Sequence, residues 1–107
     1  MVEEISVHEL KKIMDKPSKN FYLLDVREPD EWDLAHIEGA VLKPMSSLKE
    51  SYRDIPKDKK IYVHCKGGGR SLKSAEFLKA RGYNEVFNIK GGIDAWAREI
   101  DPSVPTY

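Results

Sequence analysis

Ile61-Tyr62-Val63-His64 runs without a break into Cys65-Lys66-Gly67-Gly68-Gly69-Arg70-Ser71. The first part has the short apolar character of a buried strand. The glycines make a loop, and beyond them Leu72, Ala75 and Leu78 recur at helical spacing until Gly82, a residue suited to closing a helix. A strand that turns through a glycine-rich loop into a helix over Ser71 to Arg81 is a building unit of parallel α/β sheets.

The flanking sequence repeats that alternation. Downstream, Val86-Phe87-Asn88-Ile89 reads as a strand and Gly91-Gly92 as a turn. Ile93, Trp96, Ala97 and Ile100 then follow the i, i+3, i+4, i+7 spacing of an amphipathic helix. Upstream, Phe21-Tyr22-Leu23-Leu24-Asp25-Val26 is almost continuously apolar, as in a strand covered on both faces. Glu28-Pro29 opens a short helix, with proline at a favoured first position. Trp32 and Leu34 are expected to supply its buried side, and Gly39 ends the segment before Ala40-Val41-Leu42, another short strand. Leu48, Tyr52 and Ile55 suggest a loose helix closed by Pro56. Ser6-Val7-His8-Glu9 has the form of a capping box ahead of a stripe of Val7, Leu10, Ile13 and Met14. Asp101 to Tyr107, with Pro102 and Pro105, carries no periodic pattern and reads as a loose end. Strands alternating with helices predict a three-layer α/β/α domain with a mainly parallel sheet. Ligands of such sheets bind at the carboxyl ends of the strands, where Cys65 stands.

Composition narrows the function. The 107 residues suit one domain, 1–107, and the sequence shows no linker or repeat. Lys plus Arg and Asp plus Glu both number 18, a balance that gives no basis for nucleic-acid binding. No apolar run approaches the ~20 residues of a membrane span. The acidic start Met1-Val2-Glu3-Glu4 is unlike a secretory signal, so a cytoplasmic location is expected. Cys65 is the sole cysteine, which excludes an internal disulfide and a cysteine-cluster metal site. His8, His36 and His64 lack metal-ligand spacing, so no metal is expected. Gly67-Gly68-Gly69 lacks the spacing of a dinucleotide fingerprint.

The loop itself suggests the chemistry. Consecutive glycines let several N–H groups converge into a nest for an anion, and the following helix adds the positive end of its dipole. A thiolate in such surroundings is stabilised, and so is a persulfide, which is also an anion. From Cys65 to Ala75 the charged residues are Lys66, Arg70 and Lys73, with no acid before Glu76. Cations are unfavourable at a helix N-terminus, which suggests that an anionic substrate supplies the missing charge.

Three segments resemble the signatures of the rhodanese family of sulfurtransferases. They are Leu24-Asp25-Val26-Arg27-Glu28-Pro29-Asp30-Glu31-Trp32 with Ala35-His36-Ile37-Glu38-Gly39-Ala40, then Cys65 to Ser71, then Gly82-Tyr83 and Gly91-Gly92-Ile93 with Ala95-Trp96. The resemblance implies a five-stranded parallel sheet with Cys65 at the end of its central strand and an ordered core of about 3–101. It implies ping-pong sulfur transfer without a cofactor. Cys65 attacks the outer sulfur of a small anionic donor such as thiosulfate, and the persulfide passes its sulfur to cyanide, a small thiol or a protein thiol. Cys65 and Arg70 are then the catalytic candidates. Lys66, Gly67, Gly68, Gly69 and Ser71 bind the substrate, while Asp25, Arg27 and Glu28 hold the loop from behind. His36 reads as structural, and His64 should face away from the thiol because neighbours on a strand alternate. Trp32 and Trp96 read as packing residues.

Two other classes compete. A cysteine phosphatase or arsenate reductase also uses an anion-cradling loop after His-Cys, but that loop places one more residue before its arginine, where Ser71 stands here. Arsenate reduction usually wants a second thiol as well. The other alternative is a non-enzymatic module, either a sulfur relay for one protein partner or a regulatory rhodanese-like domain.

Overall fold

The computed structural model describes residues 2–107; Met1, counted in the single domain, lies outside the described residues. Five strands form one sheet, β1 (Glu3–Ile5), β2 (Phe21–Asp25), β3 (Val41–Leu42), β4 (Lys60–His64) and β5 (Val86–Ile89), in the order β1-β5-β4-β2-β3. Every pairing is parallel. Five helices connect and cover them: α1 (Val7–Asp15), α2 (Pro29–Leu34), α3 (Leu48–Ser51), α4 (Gly69–Ala80) and α5 (Gly92–Glu99). Short 3₁₀ turns flank α3 on both sides. The predicted three-layer α/β architecture is the observed one, and β4, which delivers Cys65, is the central strand.

Alternation along the strands divides the interior into two cores. Leu23 and Tyr62 face α1 and α5 together with Leu10, Ile93 and Trp96. Leu24, Ile61, Val63 and Cys65 face α3 and α4 together with Leu48, Ala75 and Leu78. Asp25 and His64 are register partners, and neither is exposed to solvent. The strand period therefore separates His64 from the Cys65 side chain, as the sequence predicts.

Local signals act where the sequence places them. The Ser6 hydroxyl accepts the Glu9 amide at 3.1 Å, and the Glu9 carboxylate accepts the Ser6 amide at 3.2 Å, which starts α1. At the end of α4 the amides of Gly82 and Tyr83 donate to the carbonyls of Lys79 and Leu78, each at 3.2 Å, a Schellman-type closure. The first helix after β2 departs from expectation. No residue of α2 is buried, and Leu34 is 60% exposed. Trp32 instead stacks on His36 with ring centroids 3.9 Å apart, and His36 Nδ1 meets the Trp32 carbonyl at 2.9 Å. What ties α2 down is polar. Arg27 donates to the carbonyls of Glu31 at 3.3 Å and Ala35 at 2.7 Å.

The end that reads as loose from sequence also makes contacts. The Asp101 amide donates to the Trp96 carbonyl, Val104 packs against the α1/α5 core, and the Tyr107 phenol enters a hydrogen-bond network described below. Strand β1, which the sequence reading did not anticipate, adds Glu3–Ile5 to the edge of β5. Among the described residues no helix is long and apolar enough to cross a membrane.

Gly91-Gly92 makes a tight joint between β5 and α5. The amides of Ile93 and Asp94, at the start of α5, donate to the carbonyls of Cys65 at 2.9 Å and Lys66 at 3.1 Å. That approach leaves no room for a side chain at Gly92, whose φ is +56° and where a Cβ would collide with both carbonyls. Gly92→Ala is expected to lower stability by about 2–3 kcal/mol, from left-handed strain and displacement of α5. The check is the midpoint of urea unfolding, and a wild-type midpoint would contradict this account of the joint.

Candidate active site

Cys65 follows the last residue of β4, and α4 begins four positions later at Gly69. The turn between them is possible because Gly68 adopts φ +119°, a conformation that side chains disfavour. Its carbonyl accepts the first helical bond, from the Leu72 amide at 3.1 Å. The tight turn folds the start of α4 over the cysteine.

The sulfur sits inside a shell of donors. The Gly68 amide points to Sγ at 3.1 Å, and the Ser71 hydroxyl lies 3.3 Å from it. Burial alone would push the Cys65 thiol up, since the residue is only 1% exposed. The Ser71 hydroxyl and the amides of Ser71, Gly68 and Gly67 outweigh burial, so its pKa falls below the ordinary thiol value. The shell thus favours the thiolate at a place where an unsupported charge would be costly.

Ser71 is itself positioned by Asn88. The Ser71 oxygen is within hydrogen-bonding distance of Asn88 Oδ1 and of the Gly68 carbonyl, as well as of Sγ. One hydroxyl proton serves one acceptor best, and an ionised sulfur is a charged acceptor, which strengthens its claim. Asn88 Nδ2 donates to Glu4 Oε2 at 2.8 Å and lies 3.3 Å from the Gly68 carbonyl. Asn88 therefore links β1, β5 and the loop. The sequence carried a signal for it, a lone amide inside the apolar run Val86-Phe87-Asn88-Ile89.

The two loop cations are already engaged. Arg70 makes a bidentate pair with Glu31, Nη1 to Oε1 at 2.6 Å and Nη2 to Oε2 at 2.9 Å. This pairing holds the Glu31 carboxyl down to about 2 and raises Arg70 further above its usual value. Lys66 Nζ donates to Asp94 Oδ2 at 3.0 Å and stands 5.0 Å from the centre of the Tyr107 ring. Lys73 is exposed on α4.

Behind the loop, Asp25 and Arg27 form a fully buried pair, with Arg27 Nη2 and Asp25 Oδ2 2.7 Å apart. Burial opposes the charge on Arg27, but Asp25 and the Tyr107 hydroxyl more than compensate, so the guanidinium stays ionised. His64 Nε2 lies 3.9 Å from Asp25, and burial drives its pKa down, leaving the ring neutral. Among the described residues, Asp25, Arg27 and Glu28 make no hydrogen bond to residues 65–71. The Glu28 carboxylate turns instead to the Ser46 hydroxyl, at 3.1 and 3.2 Å. Arg27 reaches the loop at one remove, through its bond to the Glu31 carbonyl and through Tyr107. The Tyr107 hydroxyl accepts from Arg27 Nη1 and donates to Glu31 Oε2, each at 2.8 Å. Glu31, Asn88, Asp94 and Tyr107 thus join the site without having been singled out from sequence.

With this geometry in place, comparison with known proteins is informative. A model of the rhodanese-like domain matches residues 6–99. A sulfurtransferase from Allochromatium vinosum is 35% identical, over 97% of this chain and 96% of its own length. The chain belongs to the rhodanese-like family. The rhodanese-like domain protein of Staphylococcus aureus superposes with a TM-score of 0.84 at 30% identity, covering 99% of both chains. A probable adenylyltransferase/sulfurtransferase MoeZ from Mycobacterium tuberculosis is 36% identical over 96% of this chain, which spans 26% of that protein. The chain spans from 26% to 62% of the length of several curated relatives. Two of these relatives, from Allochromatium vinosum and Mycobacterium tuberculosis, carry sulfurtransferase in their names.

The Ser71 hydroxyl is one donor to sulfur, and a hydrogen bond to a charged group is worth about 1.5–3 kcal/mol. Ser71→Ala is therefore expected to weaken the thiolate of Cys65, followed as the rate of alkylation by iodoacetamide across pH. The pH midpoint of that reaction should move upward, toward the ordinary thiol value of about 8.5. An unchanged pH–rate profile would mean that Ser71 does not support the thiolate.

Proposed function

We propose that Cys65 is the nucleophile of a sulfurtransferase and carries a sulfane sulfur as a persulfide between two half-reactions. The observation that carries this reading is the placement of the Gly68 amide at 3.1 Å and the Ser71 hydroxyl at 3.3 Å from one buried sulfur. Such a shell stabilises the attacking thiolate and, after transfer, the terminal sulfur of the persulfide. In the first half-reaction the thiolate attacks the outer sulfur of a donor, of which thiosulfate is the simplest, and the rest of the donor leaves with the electron pair, as sulfite in that case. In the second, a thiophilic acceptor such as cyanide, a small thiol or a protein thiol attacks the outer sulfur and regenerates the thiolate. No metal or cofactor is needed for either step.

The catalytic candidates are Cys65 and Arg70, with Lys66, Gly67, Gly68, Gly69 and Ser71 forming the substrate cradle. Asp25 and Arg27 support them from the sheet, and Glu28 braces the loop before α2 against Ser46. A protein acceptor is in keeping with the names of two relatives, 'Putative sulfur carrier protein YrkF' of Bacillus subtilis and 'Probable adenylyltransferase/sulfurtransferase MoeZ'. A relay role for this chain is the same chemistry with one dedicated acceptor. A phosphatase loop places five residues between its cysteine and its arginine, and here four separate Cys65 from Arg70, which suits a single sulfur better than a phosphate.

Incubation with excess thiosulfate, followed by removal of the donor, should raise the intact mass by one sulfur atom. Cyanide should then remove that sulfur as thiocyanate. Cys65→Ser should show neither change. A stable wild-type mass with both thiosulfate and a small persulfide as donor would refute the reading. Cys65-dependent hydrolysis of an aryl phosphate would replace it with the phosphatase.

A further inference from the structure

From sequence, Lys66 and Arg70 read as unpaired cations waiting for an anionic substrate. In the fold both are compensated by carboxylates from distant elements. Glu31 arrives from α2 and takes both terminal nitrogens of Arg70; Asp94 arrives from α5 and takes the Lys66 ammonium. The Glu31 pair is fixed, with only 15% of that side chain exposed. Two further donors hold the same carboxylate, the Glu28 amide at 3.0 Å and the Tyr107 hydroxyl at 2.8 Å. Tyr107 is in turn fixed by Arg27. Of the three cations in this segment, Lys66 and Arg70 are thus held in ion pairs and Lys73 stays exposed on α4, so the net positive charge beside Cys65 is less than the loop sequence suggests.

That matters because the nucleophile is itself an anion. A dianion such as thiosulfate meets like-charge repulsion as it nears the thiolate, and repulsion is strongest where water is excluded. Free cations would offset it. Cations already paired with carboxylates offset much less, because the field of each pair largely cancels at a distance.

We infer that Glu31 and Asp94 are specificity-determining residues, which, by neutralising Arg70 and Lys66, bias Cys65 against dianionic donors and toward the uncharged RS–SH form of a thiol persulfide. The inference rests on the reading of Cys65 as a sulfur acceptor and names its donor class. The step balances without an outside oxidant or reductant. Cys65 Sγ⁻ attacks the terminal sulfur of RS–SH, a new S–S bond forms, and the donor S–S bond breaks. The electron pair leaves on RS⁻, which is then protonated by water. Cys65 is left as the persulfide, and the transferred sulfur keeps its oxidation level.

The test compares two donors at one pH, thiosulfate and the persulfide of 2-mercaptoethanol, the latter counted by its protonated RS–SH fraction. Second-order rate constants for sulfur loading of Cys65 are measured by quenched intact mass on wild type, Glu31→Gln, Asp94→Asn and the double variant. Gln keeps one acceptor, its Oε1, for the Glu28 amide and gives up the acceptor for the Tyr107 hydroxyl, whereas Asp94→Asn approaches from the other side of the loop, independently of α2. The ratio of the thiosulfate rate constant to the persulfide rate constant is expected to rise about tenfold in Glu31→Gln and further in the double variant. The thiosulfate gain should shrink as salt is added, as an unmasked charge requires, a response that a merely structural role would not give. Ratios equal to wild type in both single variants would overturn the inference while leaving sulfur transfer intact. Failure of both donors to load wild-type Cys65 would remove the underlying reading, and the inference with it.

Discussion

A negative charge held on a buried sulfur is the constraint around which this domain is organised. Cys65 lies at the end of the central strand and faces the α4 core, where desolvation works against ionisation. The Gly68 amide turns onto the sulfur, and the Ser71 hydroxyl comes within reach of it, because Gly68 adopts a left-handed backbone and α4 starts at once. The amide dipole is fixed by the backbone and needs no reorganisation when the thiolate forms or when a second sulfur arrives, and that preorganisation is what makes such shells effective. Ser71 adds a donor whose orientation is governed by Asn88, so β5 also contributes to the state of the sulfur.

The rest of the fold keeps this loop in place. Helix α5 presses its first amides onto the Cys65 and Lys66 carbonyls, a contact that only glycine at position 92 permits. From the other side, Arg27 anchors both ends of a polar chain. It is buried against Asp25, bonded to the carbonyls of Glu31 and Ala35, and bonded to the Tyr107 hydroxyl. A buried ion pair contributes little net stability, but losing one member is expensive, about 3–5 kcal/mol. Its role here is positional, because it sets where α2 lies and so where Glu31 meets Arg70.

Much of the fold was legible because it rests on local signals. The capping box at Ser6, the continuous apolar strands, Pro29 at a helix start and the glycines after α4 and before α5 all act within a few residues of themselves. Cys65 and its glycine loop were legible for the same reason, since nucleophile and shell belong to one segment. Local reasoning failed where partners are far apart in sequence. The loop cations looked unpaired because Glu31 and Asp94 come from other helices. Leu34 reads as a core contact because it is apolar and sits on a short helix, yet α2 is held by polar bonds and leaves Leu34 in solvent. Strand β1 is three residues long with an exposed Glu-Glu start, too short for any periodicity to mark it. Tyr107 follows two prolines with no pattern, and only the folded chain brings its phenol to Arg27 and Glu31.

The central claim concerns the ionisation of one sulfur, and it can be observed without substrate. With cysteine labelled by carbon-13, the Cβ shift of Cys65 reports the fraction of thiolate as pH is varied. The account predicts a single titration with its midpoint below the ordinary thiol value of about 8.5, so that the thiolate persists to lower pH than in an unfolded chain. A midpoint at or above that value would show that burial dominates the shell of donors, and would contradict the account.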